Sequence, residues 1–397
     1  MRVLLVSDFV LPVRGGLEVY VANLAAELSA RGHEVHIATL TDDPEPQAGV
    51  RLHTVRSWSS KLISHADPDR PFAVPVPDFR SRADLERIVR STQPDVVHAH
   101  TWLGWSLRSR TDTPVVMTVH DFAPICQLRT LWRPEGRTCA GPSYLDCLRC
   151  GAASMSPLRS LGLASATVAG RHRMRPSALM VLSRCMQTTL EPYFDMPIEV
   201  IPGFVSPQPD GSGVAAQLPP GRFAMFAGDP GRHKGLDLLL DIWRNDPPAG
   251  LDLVVASTRA SELPVTPGVH LLRLTPQQMP SAWSRATVAL VPSRWKEAFG
   301  LSAIEALSAG TPVIASDCGA LPESVESGRN GLVVAPQDKL GWIRAIASVV
   351  EDGGLHRRLA DGARASAARW APTTVVPQIE AVYQRVLQRR RAQPATV

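Results

Sequence analysis

At 397 residues the chain is longer than a single hydrophobic core usually supports, and two domains of roughly 200 residues each are expected. Hydrophobic residues at 44% and charged residues at 20% exclude an intrinsically disordered chain. The formal charge of +5 suits an anionic small ligand or a membrane surface, and no signature of a nucleic-acid reader accompanies it.

The chain opens on "MRVLLVSDFVLPV", which Asp8 and Pro12 interrupt and no small-residue cleavage site follows. It reads as a buried first strand and not as a signal peptide. No run of about 18 apolar residues exists to span a bilayer, so cytoplasmic residence with reduced thiols is expected. Four apolar runs rich in β-branched residues follow in order, "VLLVS" (3–7), "HEVHIATL" (33–40), "DVVHAH" (95–100) and "PVVMTVH" (114–120). Helical spacing separates them, most clearly in "GLEVYVANLAAELSARGH", where Val21, Leu24 and Leu28 share a stripe and Gly32 is the stop. Strands alternating with helices predict a parallel sheet covered on both faces.

A second series comprises "FAMFAG" (223–228), "LDLVVA" (251–256), "VHLLRL" (269–274), "VALVPS" (288–293), "TPVIAS" (311–316) and "GLVVAP" (331–336). Between the series lies a stretch dense in Pro, Gly and Ser, 202–221, the natural hinge. The fold class is therefore α/β, with two doubly wound Rossmann-like domains facing across a cleft. Residues 1–203 form the N-terminal domain with a Cys-bearing insert at 124–152, and 204–221 a linker. Residues 222–372 form the C-terminal domain, and 373–397 a helix and tail that can pack back on the N-terminal domain. Ligands in open parallel sheets sit beyond the carboxyl ends of the strands, which is where chemistry is expected.

The most informative stretch is "EAFGLSAIEALSAGTPVIASDCGALPE" (297–323). A helix starting near Phe299 or Gly300 directs unsatisfied backbone amides at an anion, and Gly300 allows close approach. Glu305, about a turn further on, can accept hydrogen bonds from a vicinal diol, and Glu297, ahead of the helix, from hydroxyls beyond the phosphates. Taken singly, each glutamate reads as readily as a solvated loop residue or a charge complementing the helix dipole.

This stretch, together with "GGLEVYVANLAAELSARGHEVHIAT", "PDVVHAHTW", "VVMTVHDF" and "GDPGRHKGLDLLLD" in order, resembles the retaining, nucleotide-sugar-dependent glycosyltransferases of the GT-B fold, family four, over nearly the whole chain. The resemblance implies transfer of a hexosyl group from a nucleoside-diphosphate sugar, most often a UDP-sugar, to the hydroxyl of a small-molecule or lipid-linked acceptor, with no cofactor for catalysis. It implies that Glu297 binds donor-sugar hydroxyls near the amides of Phe299, Gly300 and Leu301, and that Glu305 holds the ribose. Gly15 and Gly16 would let the backbone approach the diphosphate, His120 would sit at the sugar, Lys234 would neutralise the diphosphate, and Arg273 to Thr275, with Leu274 at its centre, would flank the base. The chain departs from the family where Asp229 follows Gly228 in place of an Arg, with Arg232 the expected substitute, and where "IPGFVS" puts Gly203 in place of an Asn. Two alternatives stay open, a nucleotide-sugar 2-epimerase or hydrolase on the same fold and a non-catalytic sugar-nucleotide binding protein. A dinucleotide dehydrogenase is disfavoured because no G-x-G-x-x-G follows the strands.

Three further features bear on partners. Cys126, Cys139, Cys147 and Cys150 within "PICQLRTLWRPEGRTCAGPSYLDCLRC" could hold a structural zinc ion, or be reduced thiols or a loop disulfide. Asp67 and Asp69 around a proline read as a turn rather than a metal site. The basic, partly apolar segment 155–180, with Arg171, His172, Arg173 and Arg175, could lie on an anionic membrane, although a solvated helix is the expected reading.

Overall fold

The computed structural model describes residues 1–12, 15–58, 73, 78–107, 113–173, 175–206 and 213–392. Asp67 and Asp69 lie outside them, as does the 207–212 part of the linker. The described residues divide into two compact units, one of residues Met1–Pro134, Cys139–Phe204 and Pro372–Val397, the other of Glu135–Thr138 and Val205–Ala371.

The first unit is built on β1 (Arg2–Ser7), β2 (Glu34–Thr39), β3 (Val50–Thr54), β4 (Val96–Ala99) and β5 (Val115–Val119), with β8 (Ala178–Val181) and β9 (Ile198–Val200) after a short ribbon of β6 (Trp132–Arg133) and β7 (Arg137–Thr138). The strands pair in parallel in the order β3-β2-β1-β4-β5-β8-β9. Central strands read as continuous apolar runs because both faces are covered. One face packs Val3, Leu5, Val35 and Ile37 against the helix Gly16–Ala30 through Val21, Leu24 and Leu28. The same core takes Val375, Val376, Ile379, Val382, Tyr383 and Val386 from the final helix Pro372–Ala392, so the C-terminal segment belongs to the core of the N-terminal unit. Each such side chain contributes roughly 1.5–3 kcal/mol when fully buried. The opposite face packs Leu4, Val6 and Val97 against Leu85, Ile88 and Val89 of the helix Phe79–Thr92, which Asp78 caps by accepting from the amides of Arg80 and Ser81.

The second unit comprises β10 (Phe223–Ala227), β11 (Asp252–Ala256), β12 (Val269–Leu272), β13 (Val288–Val291), β14 (Val313–Ser316) and β15 (Gly331–Val334), parallel in the order β12-β11-β10-β13-β14-β15. This is the doubly wound order, reversing between β10 and β13. The N-terminal sheet reverses in the same way between β1 and β4.

Several sequence expectations are corrected. Strands β3, β8 and β9 were not expected; β3 is a half-exposed edge carrying Arg51 and His53, and the segment 155–180 holds the helix Pro157–Arg173 and the start of the buried strand β8. Part of the stretch read as a linker is core, since Val214 and Leu218 are buried with Phe223 and Trp283 of the C-terminal unit. Among the described residues no helix is long and apolar enough to cross a membrane.

Candidate functional site

In the C-terminal unit the loops after β10 and β13 leave the sheet on either side of its reversal, and they carry the predicted acid and cation. Lys234 closes a single 3-10 turn, Arg232–Lys234, after β10. Its Nζ lies 2.7 Å from Glu297 Oε1, and that same oxygen accepts the Ser293 hydroxyl at 2.6 Å. The ammonium also sits 4.5 Å from the centroid of the Trp295 ring, a cation–π contact that orients it from a second side. Glu297 is only 5% exposed. Burial pushes its carboxyl up, but the Lys234 charge and the hydrogen bonds from Lys234 and Ser293 outweigh that and leave it below the usual carboxylate range, hence ionised at neutral pH.

Gly319 fixes the backbone of Glu297. The Ala320 amide donates to the Glu297 carbonyl at 2.9 Å, and Gly319 has φ of +59°, with any Cβ there falling 2.2 Å from the Glu297 nitrogen. No rotamer relieves a clash with backbone, so Gly319→Ala is expected to cut activity more than tenfold. Gly353→Ala, whose Cβ meets nothing within 4 Å, leaves activity within about twofold. Activity of the two variants under one assay, with circular dichroism to confirm folding, checks this; equal effects would remove Gly319 from the site.

The helix Leu301–Ser308 begins after Gly300, whose φ of +79° turns the chain into it. Phe299 is partly buried against the core that Leu321 also joins, and Leu274, after β12, packs on the same core. Glu305 is half-buried in this helix and accepts the Trp283 indole N–H at 3.4 Å. Burial pushes its carboxyl up to about 7, and the Trp283 bond opposes this only in part. The two glutamates thus differ in charge state: Glu297 is ionised by a partner, while Glu305 hovers near half-protonation for want of one. Arg232 is exposed and forms no ion pair among the described residues. Asp229 is answered by Arg259, 3.5 Å away, and accepts the Gly231 amide at 2.7 Å.

In the N-terminal unit, His120 ends β5, with Nε2 3.0 Å from His100 Nδ1 and its ring edge-on to Tyr20 at 4.9 Å. Burial, helped by the nearby Arg129 charge, pushes His120 down to about 3, so its imidazole is neutral at pH 7. His98 is pushed down to about 3 by burial and by His120, and is held between the Tyr383 hydroxyl at 2.6 Å and the Thr118 hydroxyl at 2.7 Å. Beside them Arg129 donates to Asp121 at 2.7 Å, and Asp8 accepts the Thr101 hydroxyl at 2.6 Å and the Ala73 amide at 3.1 Å. Burial raises the Asp8 carboxyl to about 6 against those bonds and the Arg129 charge. Gly15 is the extended residue before the first helix and Gly16 its first residue; Val13 and Arg14 just ahead lie outside the described residues.

The sequence reading missed Ser293, Trp295, Gly319, Trp283, Asp8 and Arg129. For Gly319 a signal existed in the C-G-A turn that closes the quoted signature, and for Arg129 none, since a positive φ of 67° in an Arg is set by its surroundings. Cys126, Cys139, Cys147 and Cys150 line one small cavity, and among the described residues no group of three or more His, Cys, Asp or Glu is arranged to hold a metal ion. Burial raises the Cys126 and Cys147 thiols above their ordinary range.

Two parallel doubly wound sheets make this an α/β protein of two Rossmann-like domains, with an ion-paired acid at the reversal of the second sheet, where ligands of open α/β sheets bind. Residues 14–208 match the model of Glycosyltransferase Family 4, and residues 222–352 that of Glycosyl transferases group 1. The chain belongs to glycosyltransferase family four and has its GT-B type of two-domain Rossmann-like fold. It is 29% identical to D-inositol 3-phosphate glycosyltransferase of Xylanimonas cellulosilytica, over 95% of this chain and 93% of that one. It is 28% identical to glycogen synthase of Mycobacterium tuberculosis, over 92% and 89%. Sucrose-phosphate synthase from Thermosynechococcus elongatus shares the fold, with a TM-score of 0.74 and 21% identity, covering 98% of this chain and 99% of that chain. Anabaena HepE, solved in complex with UDP and glucose, has a TM-score of 0.67 and 18% identity, covering 97% and 100%.

Proposed function

We propose that this glycosyltransferase moves a hexosyl group from a nucleoside-diphosphate sugar, with UDP as the nucleotide, to an acceptor hydroxyl, retaining anomeric configuration. The observation that carries the reading is the buried Lys234–Glu297 pair at the reversal of the C-terminal sheet. Cleaving the bond from sugar C1 to the diphosphate oxygen develops positive charge on the ring and negative charge on the departing diphosphate. Lys234 and the amides at the start of the Leu301–Ser308 helix oppose the second, and electrostatic stabilisation of that kind is a leading source of rate. Glu297, ionised, accepts hydrogen bonds from sugar hydroxyls, and Glu305, in its ionised form, accepts from the ribose diol. His120 is neutral and serves as a hydrogen-bonding group rather than an acid. The acceptor's proton passes to the departing diphosphate oxygen, the basic atom on the face that retention keeps. The relative that binds UDP and glucose supports the donor class. The N-terminal unit holds the acceptor in this reading, a small molecule or a lipid-linked one.

The experiment is a thermal-shift screen of UDP-, GDP-, dTDP- and ADP-sugars, followed by nucleoside-diphosphate release with and without acceptor hydroxyls. A UDP-sugar is expected to give the largest shift, and release to need an acceptor. Turnover of donor alone would favour the hydrolase or epimerase, and binding with no release under any acceptor would favour a sensor.

A further inference from the structure

A cavity in the N-terminal unit lies at the other end of the sheet from His120. It is an open cavity of about 880 Å³ where Arg2, Arg82, Arg90, Arg390 and Arg391 converge. These guanidiniums come from separate parts of the chain. Arg2 begins β1, Arg82 and Arg90 stand on the helix Phe79–Thr92, and Arg390 and Arg391 end the helix Pro372–Ala392. Asp95, just ahead of β4, and Thr113, just ahead of β5, complete the wall on the amino-terminal edge of the strands.

Among the described residues two acids, Glu86 and Asp95, line the cavity, and both are already engaged. Glu86 lies between Arg82, at 2.7 Å, and Arg90, at 4.0 Å. Asp95 accepts the backbone amide of Arg2 at 2.7 Å. Among the described residues five guanidiniums face two carboxylates, an excess of three positive charges, and no carboxylate pairs with Arg2, Arg390 or Arg391. Cations at a helix end complement its dipole, which accounts for Arg390 and Arg391 but not for their meeting three arginines from other elements. Guanidiniums are always charged and match phosphate oxygens in bidentate geometry, and pockets of about 300–1,000 Å³ take small ligands.

We propose that this cavity is a second anion site, taking a ligand with two or more phosphate charges and thereby pinning the end of the C-terminal helix to the edge of the N-terminal sheet. The phosphates belong to a soluble metabolite or to a lipid headgroup, and the chemistry of recognition is the same for both. The site is independent of the sugar donor.

Titration calorimetry of the full chain with inorganic tripolyphosphate at about 0.15 M salt tests it, since exposed charges alone are largely screened there. With the donor site filled by saturating UDP, one saturable tripolyphosphate site is expected, weakened at least tenfold by the double substitution Arg390→Ser with Arg391→Ser and again by Arg90→Ser, all at exposed positions. Lys234→Ala, which removes the donor-side cation, leaves it. Binding that survives the double substitution, that is lost in Lys234→Ala, or that never saturates overturns the proposal. Sedimentation with phosphatidylglycerol vesicles separates the sources. Pelleting that tripolyphosphate displaces and the double variant lacks assigns the phosphate to a headgroup, and saturable tripolyphosphate binding without pelleting assigns it to a soluble ligand.

Discussion

Glu297→Gln is expected to lower kcat about 100-fold while the nucleotide-sugar KM stays within about threefold, the range in which loss of one preorganised electrostatic partner falls. The amide keeps the size of the side chain and can still accept from Ser293, but it removes the charge that holds Lys234 Nζ at 2.7 Å. Lys234 then loses its orientation toward the departing diphosphate, and the sugar hydroxyls lose an ionised acceptor. Both losses fall on the transition state more than on ground-state binding, so kcat is the affected constant. Steady-state kinetics with the donor found by the screen checks this. A variant with raised KM and unchanged kcat would move Glu297 from chemistry to binding.

Glu305→Gln is expected to do the reverse in function and, unusually for a site residue, to stabilise the protein at alkaline pH. The Glu305 carboxyl is raised by burial from 4.5 to about 7 in the folded chain. A group raised in this way contributes its full stability below the unfolded value of 4.5, and the contribution is lost as pH rises through about 7. Above pH 8 the folded protein therefore carries an unpaired, partly buried carboxylate costing at most about 3 kcal/mol, from roughly 1.4 kcal/mol per unit. Glutamine resembles the protonated form, so the variant should match the parent near pH 4.5 and exceed it by about 2–3 kcal/mol at pH 8.5 in urea unfolding. Nucleotide affinity should fall about tenfold, as the ribose diol loses its ionised acceptor. A stability difference independent of pH would mean that Glu305 does not titrate as argued. Glu297 behaves oppositely: held below its usual range, its contribution is lost as pH falls and is complete at neutrality.

The reading of roles from residue types went furthest where the side chain and its backbone context were both local. The E-x7-E spacing, the glycine before Leu301 and the apolar strand runs are short-range patterns, and period and turn chemistry make them legible. Strand β3 was illegible because a half-exposed edge strand such as "VRLHT" lacks the apolar run that marks a buried one. The segment 204–221 looked like a linker from its Pro and Gly content, yet Val214 and Leu218 are drawn into the C-terminal core, a consequence of what lies near them in space. The four cysteines show the same limit, since their spacing suggests shared ligation, whereas their meeting around one cavity is decided by the fold.

By itself the sequence determined the alternation of strands and helices, the two-domain division and the two glutamates, because each is written in neighbouring residues whose propensities act locally. Only the tertiary structure decided what those glutamates are. Lys234 and Glu297 are 63 positions apart, and Gly319 another 22 beyond, and the parallel pairing of β13 with β10 on one side and β14 on the other brings them together. Charge state depends on such long-range partners and on burial, so one acid emerges ionised and the other close to half-protonated at neutral pH, although both are the same residue type eight positions apart.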